Sequence, residues 1–305
     1  MASVTLAESA KLSQNQLIEG VIENVITVNQ IFEMLPFTGI QGNALSYNRE
    51  NALGDVDVEG VDDTIGATAA ATFTNVTSSL TTIIGQAEVN GLIQATRSNF
   101  TDQTATQIGS KAKSAGRKYQ DMFINGTGAS NQFDGLINLC TAGQTVDTGT
   151  NGGALSFEFL DALIDLVTDK DGEVDYLCMH SRTLRSYNAL LRALGGATID
   201  AVITLPSGKQ VPAYRGIPIF RNDWIPINQT KGAGSAQTTI FAGTFDDGSQ
   251  TVGLSGLTAQ EAAGMMVENV GLAETKDNHI WRVKWYCGLA LFSEKGLACA
   301  DGITN

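Results

Sequence analysis

The sequence predicts an α+β chain, and three stretches carry that prediction. The first opens at Thr101, where Ala105, Ile108, Ala112, Ala115, Tyr119 and Met122 recur at steps of three and four and so share one face of a helix. The second is a pair of strand-like segments, Ala44 to Glu50 and Phe73 to Ile84, flanking an acidic, Gly- and Ala-rich stretch from Asn51 to Thr72. The third is the alternation of Ile280, Val283, Trp285, Cys287, Leu289 and Leu291 between Asn278 and Ala300, a strand or strand pair covered in part on both sides.

Thr101 or Asp102 can cap the long helix, and Gly126 after Asn125 can stop it. The span is roughly 22 residues, a rod of about 33 Å at the rise of an α-helix. Its seam is narrow and rich in alanine, which suits a strut better than a core helix. Gly109 and Gly116 each weaken the helix by up to about 1 kcal/mol relative to Ala. They sit where a second backbone can approach closely. After the rod, Ile124-Asn-Gly-Thr-Gly128 breaks the helix and a polar loop leads to Asp134-Gly-Leu-Ile137.

A second amphipathic helix is expected over residues 13 to 35, with Leu17, Val21, Val25, Val28, Phe32 and Leu35 on one face. Ser13 followed by Gln16 fits a capping box, and Pro36 stops the run. The face is rich in β-branched residues, so packing must supply its order. An arm lying on a neighbouring subunit and an ordinary first core helix both fit. In the next segment Leu45, Tyr47 and Arg49 fall on one face of a strand. Glu50, Asp55, Asp57, Glu59, Asp62 and Asp63 gather in or beside the following loop without a lysine. About 20 residues with little core-forming potential are awkward inside a compact domain, and such loops are functional or disordered.

Beyond Gly135 the pattern becomes a compact α/β region. Phe157 to Val167 reads as an apolar helix and Asp175 to Met179 as a short buried strand. Ser181 then caps a helix carrying Leu184, Tyr187, Leu191 and Leu194, ended by Gly195-Gly196. Ser207 to Pro212 and Tyr214 to Phe220 read as a hairpin leading to a short exposed strand. Residues 223 to 260 hold Gly- and Ser-rich turns around one apolar strand, Thr239 to Ala242.

The chain has 305 residues and a net charge of -13, from 32 acidic against 19 basic side chains. That length can bury a sizeable core without staples. The charge argues against a protein that coats DNA tightly. Cys140, Cys178, Cys287 and Cys299 lack zinc or C-x-x-C spacing and read as free thiols. No signal peptide and no apolar run near the ~20 residues of a membrane span is visible. The N-x-T sequons at Asn75, Asn99, Asn125 and Asn228 therefore read as chance.

No motif supports catalysis. His180 beside Cys178 lacks further ligands or a base-orienting group, so a structural role is expected; His279 reads as a polar strand-end residue. Gly126 to Asn131 follows a helix rather than a strand and has Asn131 in place of the third glycine of a dinucleotide loop. Asp169 to Glu173 lacks calcium-loop spacing, Asp246-Asp-Gly248 reads as a turn, and the acidic loop reads as a solvated surface in preference to a calcium site. No cofactor and no metal is expected.

The order of elements resembles the major capsid proteins of tailed double-stranded DNA bacteriophages, the Johnson-fold capsid family. The resemblance rests on the Gly-rich turn at Ile124 to Gly128, the Asp134-Gly135-Leu136 step, and the succession of arm, acidic two-stranded loop and long helix. The junction Cys178 to Leu184 resembles the strand-to-helix turn of the family's A-domain. The resemblance implies an N-terminal arm over 1–36, an extended E-loop over 37–93, and a P-domain spine helix over 94–135. It further implies an A-domain with some P-domain strands over 136–265, and returning P-domain strands over 266–305.

By the same resemblance the protein self-assembles into hexamers and pentamers of an icosahedral shell around double-stranded DNA. A separate scaffolding protein, a portal protein and a decoration or cement protein are the expected partners, with weak contact to the packaged DNA and no membrane. Assembly is expected in the host bacterial cytoplasm. Relatives that cross-link covalently use an E-loop lysine; here none lies between Lys11 and Lys111, so noncovalent contacts are expected. The expected intersubunit residues are Leu17, Val21, Phe32, Tyr47, Arg49, Glu50, Asp55, Asp57, Glu59, Asp62 and Asp63, with a basic strip of Lys111, Lys113, Arg117 and Lys118 on the long helix. That strip faces either an acidic loop of a neighbour, which is favoured, or the genome. An encapsulin-like compartment shares the fold and differs in contents. An acidic secreted surface protein and an α/β enzyme are the rivals from other classes.

Overall fold

The computed structural model describes residues 30–58, 60–61, 68–97, 102–169, 172–193 and 201–304. Most of the helix expected over 13–35, including Leu17 and Val21, lies outside those residues, as do Glu59, Asp62, Asp63 and the Gly195-Gly196 stop. Within the described end of that stretch, Gln30–Glu33 forms a 3-10 turn that buries Ile31.

The long helix spans Gln103–Asn125, about 35 Å at the usual rise. Asp102 caps it: its Oδ1 accepts from the backbone N–H of Thr104 at 2.9 Å and of Ala105 at 3.3 Å. The Gln94 amide adds a further bond to the same carboxylate, and the carboxyl is held below its ordinary range by that bond first and by the two backbone bonds after it. The helix ends at Gly126, whose N–H reaches Met122 O at 2.9 Å. A side chain at Gly126 would meet Phe133 O at 2.2 Å, and one at Gly135 would meet Gly126 N at 2.6 Å. The two glycines are therefore needed for the exit turn, where Gly135 N donates to Gly126 O.

The thin alanine seam expected of a strut gives way to a core face in the second half of this helix. Ala105 is exposed, while Ala115, Tyr119, Met122, Phe123 and Ile124 are buried. Among the described residues no other backbone approaches Gly109 or Gly116, since an added Cβ at either would meet nothing within 4 Å.

A five-stranded sheet lies against this helix. Its spine is β15 (Asn278–Leu291), flanked along one side by β4 (Thr81–Asn90). Along the other side run β13 (Leu254–Ala259) and then β14 (Met265–Leu272), both antiparallel to β15. β1 (Phe37–Ile40) adds parallel to β13. Alternation places Trp285 and Cys287 on the helix side, and the Trp285 and Tyr119 rings stand 4.5 Å apart.

The segment expected as one strand, Phe73 to Ile84, is two. β3 (Thr72–Ser79) pairs with β2 (Ala44–Ala52) in a separate two-stranded ribbon, and at Leu80 the chain changes partner to enter β4. Leu80 packs with Ile40, Leu257 and Phe292 under the ribbon's base, which fixes the place of the break.

The second sheet has nine strands. Its path runs β5 (Thr145–Val146), β16 (Leu297–Thr304), β12 (Gly234–Gly243), β7 (Tyr176–Met179), β10 (Ile217–Arg221), β9 (Gln210–Tyr214) and β8 (Ala201–Thr204). β6 (Gly153–Ala154) and β11 (Gln229–Lys231) pair at its margin. One face packs the helices Phe157–Thr168 and Ser181–Ala193 over Leu177, Met179 and Ile240. Tyr176, Cys178, Phe220 and Phe241 share a core with Tyr119, Met122 and Phe123 of the long helix.

Two expectations change here. The strand at Ile217–Arg221 is interior rather than exposed, held between β7 and β9, with Ile219 and Phe220 buried. The returning strands divide between sheets: β15 completes the sheet on the long helix, while β16 inserts between β12 and β5 of the other.

Candidate functional site

The surfaces that bear on function are those the chain does not cover itself. The β2–β3 ribbon is fixed at its base by the face predicted for it. Tyr47 Oη donates to Leu291 O at 2.6 Å, and Arg49 Nε donates to Phe292 O at 2.9 Å. Arg49 also reaches Leu291 O and pairs with Glu294 at 2.8 Å. Tyr47 and Arg49 are thus committed to the turn after β15 of their own chain.

Beyond that clamp the ribbon opens into an uncovered tip. Leu53 is 76 % exposed, Val56 90 %, Val58 100 % and Val61 96 %. Glu50, Asp55 and Asp57 are exposed among them. Four branched apolar side chains in one short segment are thus left uncovered by the described residues of the chain. The sequence reading named the acids and missed these apolar residues. Their alternation with acids, Val56-Asp57-Val58, was the available signal, since a half-buried strand shows the same period.

The basic strip is partly engaged within the chain. Lys118 pairs with Asp121 at 3.1 Å, and the Arg117 guanidinium lies over the Trp224 ring, 5.1 Å from its centroid. Trp224 is itself held by a bond from its Nε1 to Gln120 at 3.0 Å and by Asn125, which donates to the Trp224 carbonyl at 3.1 Å. The Lys111 stem covers Gly85 of β4. Phe32 packs edge-on to Phe123 at 5.1 Å and beside Tyr119 at 5.5 Å, on the long helix of its own chain.

A further uncovered strip is β14, the outer strand beside the first half of β15. Met265, Val267, Val270 and Leu272 are exposed along it. An outer strand carries unpaired backbone groups as well as these side chains, so it can accept another chain.

The groups with chemistry in the sequence take structural places. His180, rather than Ser181, caps the helix that begins at Ser181: its Nδ1 accepts from the Arg182 N–H at 3.0 Å. Burial lowers the imidazole pKa from its ordinary 6.5, which keeps the acceptor lone pair. Nε2 stands 3.8 Å from Asp223, whose carboxylate accepts from Ser181 N–H at 3.2 Å. Cys178 is fully buried and its thiol is pushed up to about 12 by desolvation, so it is no nucleophile. Among the described residues no group of three or more His, Cys, Asp or Glu side chains is placed to hold a metal ion. An open cavity of about 490 Å³ between the turn after the long helix and β16 is lined in part by Cys140, Thr145, Lys231, Cys299 and Asp301.

The phage capsid family profile matches residues 10–298. No curated protein sequence matches the chain. Among solved structures, the holo-SrpI encapsulin complex from Synechococcus elongatus aligns over 99 % of this chain and 96 % of its own, at 19 % identity and a TM-score of 0.74. The capsid of cyanophage A-1(L) aligns over 97 % and 98 %, at 12 % identity and a TM-score of 0.67. The capsid of a native GTA particle aligns over the whole of both chains, at 13 % identity and a TM-score of 0.67. At these identities the structures show a shared fold, and the profile shows the family. With its long helix, two-stranded ribbon and two sheets, the chain belongs to the phage capsid family and is a shell-forming major capsid protein of the Johnson fold.

Proposed function

We propose that this protein forms hexamers and pentamers of an icosahedral shell enclosing double-stranded DNA, and that it works by geometry without catalysing a reaction. The observation that carries this reading is the ribbon, clamped at its base by Tyr47 and Arg49 and uncovered at Leu53, Val56, Val58 and Val61. Burying those side chains on a neighbour supplies apolar contact at every repeated interface, at roughly 25 cal/mol per Å². The adjacent acids Asp55 and Asp57 suit a basic surface on that neighbour, and Lys111 and Lys113 of its long helix are the nearest match in charge. A net charge of -13 keeps the wall from binding the packaged genome tightly. A separate scaffolding protein, a portal and a decoration protein would complete assembly in the bacterial cytoplasm.

A second reading has one observation in its favour, the TM-score of 0.74 to an encapsulin shell. In that case the compartment would enclose protein cargo. Electron microscopy of purified particles with nuclease treatment separates the two. Icosahedral shells holding nuclease-protected DNA support the first reading. Shells holding a co-purifying protein and no DNA would select the second, and monomers that form no capsomers even with a scaffolding partner would sink both.

A further inference from the structure

Two thiols far apart in sequence meet at the wall of the cavity beside β16. Cys140 follows the Leu136–Leu139 turn, and Cys299 lies in β16, where it pairs with Thr145 of β5. Thr145 Oγ1 neighbours both sulfurs, 3.3 Å from Cys299 Sγ and 3.8 Å from Cys140 Sγ, and the Cys140 thiol also reaches Gln144 O at 3.5 Å. Cys140 is partly exposed, and both sulfurs line the open cavity. The other two cysteines, Cys178 and Cys287, are buried and do not line it.

We propose that Cys140 and Cys299 form a reversible dithiol–disulfide site that reacts with small-molecule disulfides entering the cavity. Cys299 is the attacking sulfur. The adjacent Cys140 thiol is the main influence holding Cys299 below its ordinary pKa, against burial and Asp301, which raise it; Lys231 favours the thiolate but is itself paired with Asp301 at 2.7 Å. The adjacent Cys299 and burial push Cys140 up, so it keeps its proton until the second step. Cys299 attacks one sulfur of the disulfide RSSR, the S–S bond breaks, and RS⁻ leaves. Cys140 then gives its proton to that thiolate and attacks the mixed disulfide at Cys299, expelling the second RS⁻, which takes up a proton from solvent. Two protein thiols are oxidised and one RSSR is reduced to two RSH. The bond ties the turn after the long helix to β16, an interior strand near one end of the second sheet. It closes a long loop, the arrangement in which a cross-link restricts the unfolded chain most.

The full-length reduced protein, incubated with oxidised glutathione, quenched with N-ethylmaleimide and digested without reductant, tests this by mass spectrometry. The expected result is loss of two free thiols per chain and a peptide pair joining Cys140 to Cys299 within one subunit, both reversed by dithiothreitol. The melting temperature should rise on oxidation and return on reduction. In Cys140→Ser the linked peptide should vanish and glutathione should remain attached at Cys299. Retention of all four thiols, a link that uses Cys178 or Cys287, a link between subunits, or wild-type protein that stops at a glutathione adduct would each overturn the proposal.

Discussion

Arg49 in the ribbon and Phe292 at the turn after β15 are joined by a 2.9 Å bond from guanidinium Nε to carbonyl oxygen. The same fork reaches Leu291 O, so one side chain satisfies two backbone acceptors that would otherwise face a crowded turn. Arg49→Ala should lower subunit stability by about 1.5–3 kcal/mol, the range for bonds made by a charged donor. Hydrogen exchange should accelerate at residues 44–52 and 72–79 before anywhere else. The exposed partner Glu294 adds little, so Glu294→Ala should move stability by less than about 1 kcal/mol. Equal loss from both substitutions would assign the clamp to the ion pair instead.

The tip of the same ribbon predicts a separation of folding from assembly. Val56→Ser combined with Val58→Ser removes side chains that are fully exposed in the subunit, so the monomer's melting should stay within about 0.5 kcal/mol of wild type. Shell yield, read by sedimentation, should fall at least tenfold. Shells formed at normal yield by that variant would remove the tip from the interface.

Four of the five glycines along the long helix and its exit divide into two pairs. Gly109 and Gly116 face open space, so Ala at either position should stabilise the subunit by up to about 1 kcal/mol. Gly126→Ala and Gly135→Ala put a methyl group against backbone atoms and should leave no folded protein in the soluble fraction. Circular dichroism melts of the first pair and soluble yield of the second check this. A Gly116→Ala subunit that is more stable yet fails to assemble would locate the close approach between subunits.

His180 gives the helix it caps a dependence on pH. Burial depresses the folded pKa, with Arg182 and Arg221 acting the same way and Asp223 opposing them. The unfolded chain therefore takes up the proton first as pH falls. The cap's contribution is complete above pH 6.5 and is lost as pH drops below that value through the depressed folded pKa. A protonated Nδ1 cannot accept from Arg182 N–H. His180→Asn keeps a capping acceptor that does not titrate, so its stability relative to wild type should rise by up to about 1 kcal/mol between pH 7 and pH 5. A difference that stays flat across that window would show that His180 does not titrate in the cap.

What could be read from the chain followed local periodicity. The long helix begins and ends within two residues of the limits set by Thr101 and Gly126, because its face and its cap are written in neighbouring residues. The Leu45, Tyr47, Arg49 face was legible for the same reason. The break at Leu80 was not: Thr, Ile and Ser propensities run straight through it, and only the neighbours in space decide that the chain leaves one ribbon for another sheet. Capping by His180 was hidden by the adjacent Ser181, a better capping residue on preference alone. The meeting of Cys140 with Cys299 depends on the β5–β16 pairing, a contact across more than half the chain that no local pattern encodes.

That pairing also sets a timetable. β16 lies inside the second sheet, with β12 on one side and β5 and β6 on the other, so three earlier strands wait for residues 297–304 before their backbone groups are satisfied. During synthesis the first sheet's β4 to β15 pairing can close as soon as Leu291 leaves the ribosome, while the second stays open by one strand. A chain that terminates before Leu297 carries a bare edge at β12 and a loosened core around Phe241. Residues 297–304 therefore decide whether the second sheet, and every surface that rests on it, is complete.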